Sequence, residues 1–159
     1  MKPLLKLTRF PYEEPYHIEL RVEASNGSQS ASIDYYTSAD DLPVLGEALM
    51  EFPFSDSKEH IYEIGTEDPA AQFAYHLYFR FFLIRPTGDS GIEIRFHNNG
   101  ETAPDREVAE FTIPCDVSGI NRLGKLLKEF GKLRHRVLEW DGADGHLTEP
   151  EQTSPNATP

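Results

Sequence analysis

The sequence predicts an α+β domain: a mainly antiparallel sheet of about six or seven strands with two helices packed on it, in the order strands, helix, strands, helix. Three observations carry this. Short runs alternate apolar and polar residues between Gly-, Asn- and Pro-containing turns. Two segments switch to helical spacing. The chain of 159 residues is 38% hydrophobic with 10 Phe and 7 Tyr, enough to bury a core rather than remain disordered.

LLKLTRF (4–10) and YHIELRVEA (16–24) read as strands, the second with Ile18, Leu20 and Val22 on one face. Asn26-Gly27 is a hairpin signal, and SASIDYYT (30–37) is the return strand. In DDLPVLGEALMEF, Leu42, Leu45, Leu49 and Phe52 share one helical face. Asp40 is the expected N-cap, because Pro43 then falls in the first turn, where its missing N–H costs nothing.

EHIYEIG (59–65) reads as a short strand. FAYHLYFRFFLIRP (73–86) reads as the central one, with Phe73, Tyr75, Leu77, Phe79, Phe81 and Leu83 inward. PTGDSG turns it back into IEIRFH (92–97), and EVAEFTI (107–113) follows. The second helix is expected over 117–138 with Asp116 as N-cap. Ile120, Leu123, Leu126, Leu127, Phe130, Leu133, Val137 and Leu138 cover one arc and Lys and Arg residues the opposite one. Gly124 and Gly131 beside that arc predict close approach to a sheet or another helix, since each costs about 1 kcal/mol against Ala in a helix interior. One domain is expected over 1–140. DGADGHLTEPEQTSPNATP (141–159), polar and almost free of large apolar residues, is expected to be a disordered tail.

The outer face of the central strand holds the functional interest. Opposite its core residues it presents Ala74, His76, Tyr78, Arg80, Phe82 and Ile84, and the hairpin sets Tyr78, Arg80 and Phe82 beside Glu93, Arg95 and His97. Arg and aromatic residues are enriched at the energetic centres of protein interfaces. Tyr78, Arg80, Arg95 and His97 are therefore the candidate partner contacts. The bland alternative has Arg80 and Glu93 as a surface ion pair worth about 0–1 kcal/mol, with Phe82 and Ile84 under a loop or the N-terminal strand.

The formal net charge of −12 disfavours nucleic acid and anionic membranes and favours a basic partner. Locally, 116–140 holds six basic and three acidic side chains, while 141–159 holds four acidic and none basic. The basic arc of the second helix has no interleaved aromatics and reads as a solvated face. A single cysteine, Cys115, excludes an intramolecular disulfide and fits a reducing compartment. It reads as a small buried hydrophobe. The N-terminus lacks a signal-peptide h-region, and no apolar stretch is long enough to span a bilayer, so a cytoplasmic address is expected.

Catalytic and cofactor templates are missing. The six histidines (17, 60, 76, 97, 135, 146) show no HxxxH, HxH or HExxH spacing. No GxGxxG, GxxxxGK[ST] or GxSxG occurs. DGADGH at 141–146 opens like a calcium loop but has Gln152 at the twelfth position, where the bidentate acid belongs. No cofactor, no metal and no enzymatic activity are expected.

With these elements in order, IELRVEA, DLPVLGEALMEF, the hairpin ending in GIEIRF, and AEFTIPCDVSGINRLGKLLKEF together resemble the small acidic immunity proteins of the WapI type, over about 17–133. Such proteins neutralise toxins of bacterial competition systems. The resemblance implies a non-catalytic protein that docks on a toxin, and it assigns no particular residues. Two other readings stand beside it: a small ligand binder or enzyme using His76 and His97 in a pocket, and a homodimer that buries the outer face.

Overall fold

The computed structural model describes residues 2–12 and 14–148. Among the described residues nine strands and two α-helices follow in chain order: β1 (Leu5–Phe10), β2 (His17–Ser25), β3 (Ser30–Ser38), α1 (Asp41–Met50), β4 (Glu59–Gly65), β5 (His76–Leu83), β6 (Asp89–His97), β7 (Val108–Asp116), α2 (Val117–Phe130), β8 (Val137–Trp140) and β9 (Gly145–Leu147). The chain is α+β, but the expected single sheet is two antiparallel sheets. One has five strands in the order β3-β2-β1-β8-β9, the other four in the order β4-β5-β6-β7. Alternation marks which face of a strand is buried, not which strand it pairs with. The pairing of Leu5 with Trp140 is a long-range choice that no local pattern announces.

Both sheets and both helices bury their apolar sides in one core. Leu7, Leu20 and Val22 come from the first sheet, Phe79, Phe81 and Ile94 from the second, and Leu45, Leu49, Leu123 and Leu127 from the helices. Each fully buried side chain of this size contributes about 1.5–3 kcal/mol. The helices cross at glycines. A Cβ on Gly46 would stand 2.6 Å from the Gly124 carbonyl oxygen, and one on Gly124 would stand 2.7 Å from the Gly46 oxygen. The close approach expected at Gly124 and Gly131 is thus helix against helix, Gly131 lying against Pro43.

α2 stops at Phe130, short of the expected 138. Gly131 ends it, Leu133 takes φ +61, and Val137 and Leu138 enter β8 instead. Asp40 and Asp116 occupy the N-cap positions without the side-chain hydrogen bond expected of a cap. Asp41, in the first turn of α1, carries the polar work: its Oδ2 accepts from Thr37 Oγ1 at 2.7 Å and Tyr62 Oη at 2.5 Å, and Tyr62 Oη lies 3.1 Å from Tyr35 Oη. That chain ties β3, β4 and α1 together. The central strand begins at His76, so Phe73 and Tyr75 precede it, and Phe73 is exposed rather than inward.

The expected tail begins with structure. Asp141 accepts hydrogen bonds from the N–H groups of Ala143 and Asp144, closing a turn that brings β9 back onto β8. This turn is the stretch that resembled a calcium loop. Residues 149–159 of the expected tail lie outside the described residues.

Candidate functional site

The outer face of the four-stranded sheet is set by register. Four cross-strand rows run over it: Glu59, Phe82, Gly91 and Pro114; Ile61, Arg80, Glu93 and Thr112; Glu63, Tyr78, Arg95 and Glu110; Gly65, His76, His97 and Val108. Inward residues stand opposite inward residues, Phe79 with Ile94 and Phe81 with Ile92, and this fixes the outward set by parity.

All four sequence candidates lie on this face. Tyr78 and Arg95 are cross-strand partners, as are Arg80 and Glu93. The polar side chains lie across the face themselves, joined by Glu67 from the loop after β4. Arg80 donates from Nε to Glu93 Oε1 at 2.8 Å and from Nη1 to Glu59 Oε1 at 3.2 Å. Its guanidinium also lies 4.1 Å from the centre of the Phe82 ring, a cation–π contact. Gly91 makes room for that ring, since a Cβ there would come within 2.9 Å of it. The bland reading of Arg80 and Glu93 is therefore correct as far as the pair goes, whereas Ile84 is exposed rather than covered.

Arg95 is gripped more firmly. Its Nε and Nη2 donate to Glu67 Oε2 and Oε1, both at 2.7 Å, and its Nη1 donates to Glu110 Oε1 at 2.8 Å. The bidentate fork has the planar geometry that suits a carboxylate. It holds the Glu67 carboxyl at about 2, well below the usual range, with hydrogen bonding to His76 adding to the effect against partial burial. Burial, then Glu93, pushes the Tyr78 phenol up.

His76 and His97 stand directly opposite each other. His76 is buried, its Nδ1 2.5 Å from Glu67 Oε2 and its Nε2 2.5 Å from Glu63 Oε2. His97 Nδ1 accepts from the Asn99 N–H at 2.8 Å, and its Nε2 is 3.9 Å from Glu67 Oε1. Beside His97 opens a cleft of about 800 Å³, bordered also by Gln72, Phe73, Asn99 and Arg106. His76 does not border it, so the two imidazoles are neighbours without sharing a pocket.

Of the acids on this face the sequence reading named Glu93 and missed Glu59, Glu63, Glu67 and Glu110. Glu59 and Glu63 alternate outward in EHIYEIG, and Glu110 does so in EVAEFTI, so the period of two carries them. Glu67 lies on the loop before the 3₁₀ turn Pro69–Ala71, and no pattern points to it. Asn99 pins that loop by donating from Nδ2 to the carbonyls of Thr66 and Phe73, both at 2.9 Å.

Among the described residues, no group of three or more His, Cys, Asp or Glu is arranged to hold a metal ion, and no helix is long and apolar enough to cross a membrane. Cys115 is partly buried, and burial followed by the neighbouring Asp116 pushes its thiol up to about 12. The chain matches no family model, no curated protein and no solved structure, so the likeness to WapI-type immunity proteins rests on sequence patterns alone.

Proposed function

We propose that this chain is a non-enzymatic binding protein that docks a basic protein partner on the outer face of its four-stranded sheet, as an immunity protein docks on a toxin domain. One observation carries the reading. On that face five carboxylates, Glu59, Glu63, Glu67, Glu93 and Glu110, surround two guanidinium groups, with Ile61 and Val108 exposed among them. The excess is negative, like that of the chain, and a field of this sign raises the encounter rate with a basic partner.

The face is also pre-ordered. Arg80 and Arg95 are each held by two carboxylates, so part of the side-chain entropy cost of forming an interface, about 0.5–1.5 kcal/mol per immobilised side chain, is met within the fold. A partner's Lys or Arg meets Glu59, Glu63 and Glu110, whose side chains stay about half exposed. Catalysis fits less well. Both His76 nitrogens face carboxylates and His97 Nδ1 accepts a backbone N–H, which leaves neither ring free as a general base in the cleft.

The test is site-specific photocrosslinking in the source cell, with a benzophenone residue at Ile61 or, as control, at exposed Val44 on α1. The reading expects a basic protein crosslinked from position 61 and not from 44, whose purified form then binds with salt-dependent affinity. Equal crosslinking from both positions, or none from 61, would overturn it. The cleft beside His97 supports a second reading, a small-ligand pocket, which a thermal-shift screen of metabolites checks by a shift that is lost in His97→Ala.

A further inference from the structure

β3 ends the five-stranded sheet and β7 ends the four-stranded one, and their free edges border a single groove of about 720 Å³. Two hydrogen bonds reveal which backbone groups point into it. The Tyr36 N–H donates to Tyr75 Oη at 2.9 Å, outside its own sheet, and the Thr112 carbonyl accepts from Asn26 Nδ2 at 3.2 Å. Backbone groups alternate sides along a strand. Ser32 and Asp34 on β3, and Val108 and Glu110 on β7, therefore turn their N–H and C=O groups to the free edges. Among the described residues these groups have no backbone partner.

The opposite parity supplies the floor. Ala31, Ile33 and Ala109 pack partly against the core beside Phe96 and line the groove. Glu23 and Glu107 stand on its rim, and Arg21 there is spent on Asp34, at 2.8 and 3.2 Å. Natural edge strands discourage pairing with Lys, Pro, bulges or short length. β3, SASIDYYTS, runs nine residues without Lys or Pro, pairs with β2 in unbroken register, and carries one charge that Arg21 neutralises.

We propose that this groove takes an extended segment of a partner protein as an added strand on β3, with small apolar residues over Ala31, Ile33 and Ala109 and basic residues facing Glu23 and Glu107. Ser30–Asp34 offers about five residues of pairing length, roughly 17 Å of strand. Main-chain hydrogen bonds supply the attachment, and the apolar floor and acidic rim supply the selectivity. The site meets the outer face of the four-stranded sheet at Val108 but does not depend on it.

The experiment uses the full chain and a dye-labelled nine-residue peptide of alternating valine and lysine, read by anisotropy and by amide exchange. Saturable binding is expected, with exchange at Ser32 and Asp34 slowed at least tenfold. Methylating the peptide nitrogens of one alternate set should abolish binding, while methylating the other set should not. Ser32→Pro removes an N–H that has no backbone partner, so it should fold and bind at least tenfold more weakly, and Val44→Ala at an exposed position of α1 should bind as the parent does. Absence of saturable binding, equal tolerance of both methylated peptides, protection confined to the outer face, or pairing of β3 with a second copy of the chain in place of the peptide would each overturn the proposal.

Discussion

Arg95 clasps Glu67 through two parallel hydrogen bonds, Nε to Oε2 and Nη2 to Oε1, both 2.7 Å long. The clasp draws a loop residue onto the outer face of the sheet and sets that carboxyl at about 2, against an ordinary value of 4.5. A carboxyl whose value is depressed on folding stabilises the fold fully above its unfolded value and loses that contribution as pH falls toward its folded one. The stability difference between the parent and Glu67→Gln should therefore be largest above pH 4.5 and shrink toward pH 2. Urea titrations at stepped pH check this, and a difference that grew on acidification would contradict it.

The helix crossing gives a second prediction. Gly46→Ala and Gly124→Ala each place a methyl within 2.8 Å of backbone on the other helix. Overpacking of this kind costs about 1–3 kcal/mol, even though alanine is the better helix former. Chemical denaturation should show both variants destabilised, against the propensity trend.

Tyr62→Phe breaks the chain from Tyr35 through Tyr62 to Asp41. Tyr35 is fully buried and its phenol is pushed up by burial, so losing its partner leaves a polar group stranded. The expected loss is about 2 kcal/mol, from an unsatisfied hydroxyl plus a lost bond to a carboxylate. A shift in the denaturation midpoint at unchanged slope measures it.

Cys115 should be unreactive. A thiol held at about 12 is almost entirely protonated near neutral pH, and the thiolate is the nucleophile. Alkylation by iodoacetamide at pH 8 should be much slower in the folded chain than in urea, and equal rates would contradict this.

Much of this fold was legible because burial has a period. The alternation in IELRVEA and HLYFRFFL marked Leu20, Val22, Phe79 and Phe81 as core, and Leu42, Leu45 and Leu49 marked the inner face of α1. The division into two sheets was not, because β1 finds β8 from the far end of the chain. The end of α2 was misjudged because Leu133, Val137 and Leu138 keep helical spacing beyond Gly131, where backbone geometry rather than pattern decides. Of the outer face, Tyr78, Arg80, Arg95 and His97 followed from parity. Glu67 did not, because a loop residue has no period to betray it.

On the proposed function, the outer face of the four-stranded sheet is where a basic partner docks. With the partner obtained by crosslinking from position 61, the direct measurement is its equilibrium affinity for the parent, for Ile61→Lys and for Val44→Lys. Ile61 is exposed on the proposed face and Val44 is exposed on α1. At least a tenfold loss is expected for Ile61→Lys and a change within about twofold for Val44→Lys, since charge repulsion and lost apolar contact act only inside an interface. Equal losses in the two variants, or an unchanged affinity in Ile61→Lys, would contradict it.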